Sequence, residues 1–238
     1  MAKSLVAQVQ DYLIPAVEAL EIPRDDWKYL NLGIGSNDIC TYCLAPNTTD
    51  PPLTGSPNEY AKAVKDAIEL LRKHVPHFIV NIIGLLRVSP IFDLTLRDPY
   101  CSGPLLPPGF PHLPLECSCA FLPGPAGDLT RQRMDQLGQG YDEAILSLIE
   151  EWDAEDDPSF GATWQPGTIL DLASWPITAL SPVDCFHPSE AGHQRVAAGF
   201  WNRLTLGFEE KNIPIIWEDE VMIRCLEEDD RVQIGHSR

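Results

Sequence analysis

The sequence predicts a three-layer α/β/α sandwich around a central parallel sheet, and three observations predict it. Short, mostly apolar runs of strand length occur at 29–34, 78–83 and 161–165, and amphipathic helical stretches separate them. Of the 238 residues, 44% are hydrophobic and 22% charged, enough to bury a sizeable core. Strand, helix, strand, helix, strand is the order that builds a parallel sheet with helices on both faces.

The elements follow in order. Val6, Val9, Leu13, Ala16 and Leu20 recur at helical spacing and predict an amphipathic helix ending near Pro23. Tyr29 to Ile34 then reads as a buried strand closing on Gly35, and residues Thr48 to Ser56 as a Pro/Thr-rich loop. Ser56-Pro57-Asn58-Glu59 has capping-box spacing with Pro at the first helical position, and Tyr60, Val64, Ala67, Ile68 and Leu71 stripe one face behind it. Phe78 to Ile83 is the second strand. Pro104 to Pro125 is too rich in Pro and Gly for regular structure, and its Leu105, Leu106, Phe110 and Leu113 could wall an apolar site. Met134, Leu137, Tyr141, Ile145, Leu148 and Trp152 mark a long helix, and Gly161 to Gln165 a short third strand. One domain over 1–208 and a solvated acidic extension over 209–238 complete the expected organisation.

Charge and cysteines bound the function. A formal charge of −18 repels phosphate backbones and excludes nucleic acid as a partner. It also disfavours simple attraction to anionic lipid surfaces. No run approaches the roughly 18 apolar residues that span a bilayer, and Met1 to Gln10 lacks the apolar core of a secretory signal. Seven cysteines and the sequon Asn47-Thr48-Thr49 nevertheless point to extracellular chemistry. An odd cysteine count without a signal fits a chain lacking its beginning. Cys40 and Cys43 form half of a zinc knuckle, but Cys117 and Cys119 are one residue too close for the other half. Disulfides are therefore expected among Cys40, Cys43, Cys101, Cys117, Cys119, Cys185 and Cys225, with no metal and no cofactor.

Two motifs carry chemistry. In Asp184-Cys185-Phe186-His187 a three-residue offset lets the carboxylate reach the imidazole, so Asp184 can hold Nδ1 and leave Nε2 facing a reaction centre. Pro188-Ser189-Glu190 can start a helix that anchors this turn. Gly35-Ser36-Asn37-Asp38 lies where a buried strand ends, the usual edge for active sites in open α/β sheets. Gly35 permits a close turn there, and the Asn37 amide can donate to an oxyanion. The third glycine of a dinucleotide fingerprint is absent. His74, His77, His112, His193 and His236 are read as surface or packing residues.

Together, Gly35-x-Asn37-Asp38 and Asp184-x-x-His187 resemble the third and fifth signature blocks of the SGNH, or GDSL-type, hydrolases. Asp26-Trp27-Lys28, Cys40-x-x-Cys43, Pro188-Ser189, Gly192-His193 and Trp201-Asn202 look like the phospholipase B branch of that superfamily, with the resemblance running from about Ala7 to Leu206. It implies the SGNH/flavodoxin-like version of the sandwich and a carboxylic ester hydrolase acting on acyl esters or phospholipids. His187 is then the base, Asp184 its orienting acid and Asn37 an oxyanion-hole donor. It also implies a secreted or cell-surface protein.

The family's Gly-Asp-Ser nucleophile block and second glycine block have no counterpart here, so the fold is expected to be N-terminally incomplete and the nucleophile stays unknown. Ser4 precedes a helix and Ser36 occupies a variable position, so neither is assigned that role. The alternative expectation is a non-catalytic remnant that binds a ligand or protein partner through the old cleft. Oligomeric state is not legible.

Overall fold

The structure, a computed structural model, describes residues 1–44, 55–102 and 116–235. The sequon, His112, His236 and the proposed wall residues Leu105, Leu106, Phe110 and Leu113 lie outside them.

The chain opens with two short helices, α1 (Leu5–Gln8) and α2 (Ile14–Ala19), joined by a π turn over Val9–Leu13. Pro15 explains the wider turn: it has no N–H to offer the carbonyl four residues back, so the ladder loosens there. The helical stretch stops at Ala19, short of the expected Pro23. Strand β1 (Lys28–Gly33) follows, and the Asn-bearing segment expected as a turn is instead a short helix, α3 (Ser36–Cys40).

Helix α4 (Pro57–His74) starts on the predicted capping box: Glu59 N–H donates to Ser56 Oγ at 3.3 Å, and Ser56 N–H to Glu59 Oε2 at 2.7 Å. Strand β2 (Phe78–Ile83) leads into α5 (Ser89–Leu96) and α6 (Pro99–Ser102), neither of them anticipated. Helix α7 (Gly124–Asp153) begins well before Met134, because Pro125 opens the helix rather than closing the loop. Strand β3 (Phe160–Gln165) and helix α8 (Glu190–Asn202) complete the frame.

The three strands are parallel in the order β1-β2-β3, with Lys28, Phe78 and Phe160 in one row. Phe78, Val80 and Ile82 are buried, and Trp152 of α7 meets Phe160 edge to face at 5.5 Å, which places α4 and α7 over one side of the sheet. The other side is partly polar. Asn81 Nδ2 donates to Asn31 Oδ1 at 2.8 Å, the buried Lys211 Nζ to Thr163 Oγ1 at 2.7 Å, and Gln165 Nε2 to the Phe200 carbonyl of α8 at 3.0 Å. Parallel sheets are buried on both faces, and β3, buried at every residue, conforms.

The acidic extension is exposed at most positions, yet it does not stand off in solvent. Side chains of α8 bind its backbone: Arg195 reaches the Glu218 and Asp219 carbonyls, Trp201 the Arg224 carbonyl and Asn202 the Met222 carbonyl. At its far end Gly235 N–H donates to the Ala162 carbonyl at 2.8 Å, and Ile234 lies over Gly161. Acidic side chains made the segment look solvated, whereas its backbone holds it.

Candidate active site

The Asp/His turn is built by local hydrogen bonds. Asp184 Oδ1 accepts from the backbone N–H groups of Phe186 and His187 at 3.0 and 3.1 Å, an Asx-type turn. Its other oxygen is 2.6 Å from His187 Nδ1. The loop is closed from Ser181 N–H to the His187 carbonyl at 2.7 Å, and Ser189 caps α8 through the Gly192 N–H. Between acid and base, Cys185 is fully buried with φ +51°, a left-handed conformation that needs support from its surroundings. A disulfide to Cys101 supplies it.

Partial burial pushes the Asp184 carboxyl up, but the hydrogen bonds from the His187 ring and the two backbone N–H groups outweigh this and hold it below the ordinary carboxylate range. The acid stays ionised, and it fixes the tautomer with the proton on Nδ1. The His187 side chain is 53% exposed, and its Nε2 bonds no described residue.

Asn37 comes from the end of β1. Gly35 turns the chain with φ +113°, where a Cβ would lie 3.1 Å from both Leu85 and Tyr60, so only glycine fits. Tyr60 hydroxyl donates to the Ile34 carbonyl at 3.0 Å, and the buried Asp38 accepts the Ala2 N–H. Desolvation pushes the Asp38 carboxyl up, against that hydrogen bond. Asn37 itself is exposed and its amide bonds no described residue.

No hydrogen bond joins Asn37 to His187; a third segment links their surroundings. Cys40 and Cys43 bridge to Cys117 and Cys119, and the buried Arg131 of α7 donates to the Ala120 and Leu122 carbonyls at 2.8 Å. Phe121 of this pinned segment meets Phe186 edge to face at 5.8 Å, and Phe186 abuts His187. Phe121, Phe186 and Arg131 carried no local sequence signal, since their contacts join distant parts of the chain.

Six cysteines form these three bridges, which leaves Cys40, Cys43, Cys117 and Cys119 no thiolate for zinc. Cys225 departs from the expected set: it is exposed and unpaired. Ser4 Oγ bonds the Met1 carbonyl and accepts from Gln8, so it is turned to its own helix. No hydrogen bond joins Ser36 to His187 among the described residues. Among the described residues no helix is long and apolar enough to cross a membrane.

The family described as GDSL-like Lipase/Acylhydrolase matches residues 3–200. The chain is 27% identical over 210 residues to "Phospholipase B1, membrane-associated" of Rattus norvegicus, covering 85% of this chain and 13% of that protein. For the Mus musculus protein of the same name the figures are 26% over 187 residues, 76% and 12%, and for that of Homo sapiens 25% over 212 residues, 85% and 13%. The chain thus spans about 13% of the length of these relatives.

Proposed function

The chain belongs to the GDSL-like lipase/acylhydrolase family, and from that premise we propose that the protein hydrolyses the carboxylic ester of a phospholipid or other acyl lipid by serine acyl transfer. The observation that carries this reading is the His187 ring, bonded to Asp184 through Nδ1 and leaving Nε2 open toward solvent. In that role Nε2 takes the proton of an attacking serine hydroxyl and later returns it to the leaving alcohol, while Asp184 stabilises the imidazolium. The unengaged Asn37 amide donates to the oxyanion of the tetrahedral intermediate. The serine itself is left unassigned. The three disulfides support an oxidising, secreted or cell-surface setting.

Turnover of short acyl esters tests the assignment. Hydrolysis that His187→Ala abolishes is the expected result, and turnover that survives the substitution removes His187 from the mechanism.

One observation favours a second reading, a ligand-binding protein without turnover: among the described residues no serine hydroxyl engages Nε2. A serine-directed fluorophosphonate separates the two, because stoichiometric labelling of this chain defeats the second reading.

A further inference from the structure

A cavity of about 600 Å³ lies at the carboxyl ends of β2 and β3, against α7. In open parallel sheets this is the end where ligands bind. Every residue that lines it falls at or after Leu85, so its walls owe nothing to β1 or to the chain before it, and none of Asn37, Asp184 and His187 takes part. Its floor is tightly built. A Cβ on Gly84 would come 2.5 Å from Trp164 Cζ2, two bonds from the indole nitrogen, and one on Gly167 would come 2.0 Å from the Gly84 carbonyl oxygen. Ring and backbone are packed so closely that only glycine fits between them, which fixes where the Trp164 ring sits.

Two polar groups line this cavity without a partner. Trp164 is 5% exposed, and no described residue accepts from its Nε1–H, although a buried indole N–H usually finds an acceptor. Among the described residues the sealed side-chain atoms that lack a partner are Asn81 Oδ1 and Gln165 Oε1, so the indole N–H is reachable from the cavity that its ring lines. Asp142 Oδ1 accepts the Leu85 N–H at 3.0 Å, and no described donor meets its Oδ2. A lone donor and a lone carboxyl oxygen thus stand at neighbouring residues, Gly84 and Leu85. One ligand group satisfies both: a hydroxyl accepts from the indole and donates to the ionised carboxylate. An anionic ligand would meet that carboxylate with like charge, and an ammonium would leave the indole N–H orphaned. Further out, Arg87 and Gln136 are exposed and make no described hydrogen bond, and Leu146 and Phe208 put apolar surface between the polar groups. A sugar ring alternates hydroxyls with C–H faces in the same way. We propose that this cavity binds a neutral sugar, carried by a free glycan or by a glycolipid head group, with Trp164 and Asp142 holding one ring hydroxyl between them. No residue of the ester-hydrolysis assignment is involved, so the two readings stand or fall separately.

Indole NMR on the 238-residue chain at pH 8 tests this. Of the six tryptophan indole signals, that of Trp164 is the one missing from Trp164→Phe. The probes are the methyl glycosides of glucose, galactose and mannose, and dodecyl glucoside. At least one should shift the Trp164 signal saturably with a millimolar Kd, the range open to a ligand of this size. Trp164→Phe keeps a ring but loses the donor, and Asp142→Asn keeps the bond from Leu85 but turns the free acceptor into a donor. Each should weaken binding by roughly tenfold, read by saturation transfer on the ligand, while the variant still unfolds cooperatively. Should Trp164→Phe fail to fold, Asp142→Asn decides alone. Binding of a methyl glycoside assigns the free sugar, and binding of dodecyl glucoside alone assigns the glycolipid. The proposal is overturned by the absence of any shift, by an equal shift with dodecylphosphocholine, or by binding that the folded variants retain. A Trp164 indole N–H that resists solvent exchange in the free protein, because another segment of the chain fills the cavity, overturns it as well.

Discussion

Phe121 and Phe186 meet edge to face, with ring centroids 5.8 Å apart and planes at 75°, and each stands beside a bridged cysteine. Cys119 ties the first ring to the segment behind Asn37, and Cys185 ties the second to the Asp184 turn. One aromatic contact therefore joins the segment bridged to Cys43 and the turn that carries the proposed base. Arg131 holds the far side, with its guanidinium 3.5 Å from the centre of the Phe92 ring, which packs on Phe121 in turn.

Phe121→Ala should lower stability by about 2–4 kcal/mol through the lost ring and the cavity left behind. Because Phe121 packs on Phe186, which abuts His187, it should also lower kcat more than it changes KM. Thermal unfolding and steady-state kinetics on an acyl ester read the two effects separately, and a variant that loses stability but keeps kcat shows that the ring only fills space.

Asp184→Asn should preserve the turn, because its Oδ1 can still accept from Phe186 and His187 N–H, while losing control of the imidazole tautomer. The triad precedent puts the loss near 10⁴ in kcat. A fall below about tenfold in ester turnover would make Asp184 a scaffold for the turn and nothing more.

Asp142 on α7 accepts the Leu85 N–H at 3.0 Å, and burial, helped by Glu143, pushes its carboxyl up to about 7. The folded protein therefore keeps a proton between about pH 4 and 7 that the unfolded chain has released, so stability falls as pH rises through that window. Asp142→Asn should remove the slope. It should be near neutral at pH 4.5 and more stable than the parent by roughly 1–3 kcal/mol at pH 8, read from melting curves at the two pH values.

Lys211 behaves in the opposite sense. Only 2% exposed, its ammonium is pushed down to about 8 by burial, with Thr163 Oγ1 as its partner. Below pH 8 the fold bears the cost of a buried charge. Between about 8 and 10.5 the unfolded chain holds the extra proton, and stability rises with pH. The double change Lys211→Met with Thr163→Val should therefore stabilise the fold at pH 6.5 by about 1–3 kcal/mol, an advantage that shrinks toward pH 10.5. Denaturant unfolding at both pH values checks it.

What was legible in the sequence was local. The capping box of Ser56 and Glu59 and the Asp184 to His187 turn each involve residues three apart, and both contacts form where the spacing places them. Strands β2 and β3 were visible as apolar runs because both are buried on two faces. The π turn at Val9–Leu13 and the helical start at Pro125 depend on which backbone group a proline removes, and position within an element decides that. The disulfide pairing and the Phe121 contact join residues 65 or more apart, so no window along the chain contains them. Helix α5 has Pro90 in its first turn, a position where proline opens a helix rather than ending one.

The bond from Gly235 to Ala162 fixes when, during synthesis, the sheet is finished. A ribosome releases β3 some seventy residues before Gly235, and at about 5–20 residues per second the outer edge of β3 waits several seconds for its cover. Throughout that interval the outward backbone groups of β3 lack the partner that Gly235 later supplies. A premature stop between Phe208 and Ile234 would make that exposure permanent, and such a product should be held by chaperones or degraded although every proposed active-site residue is present.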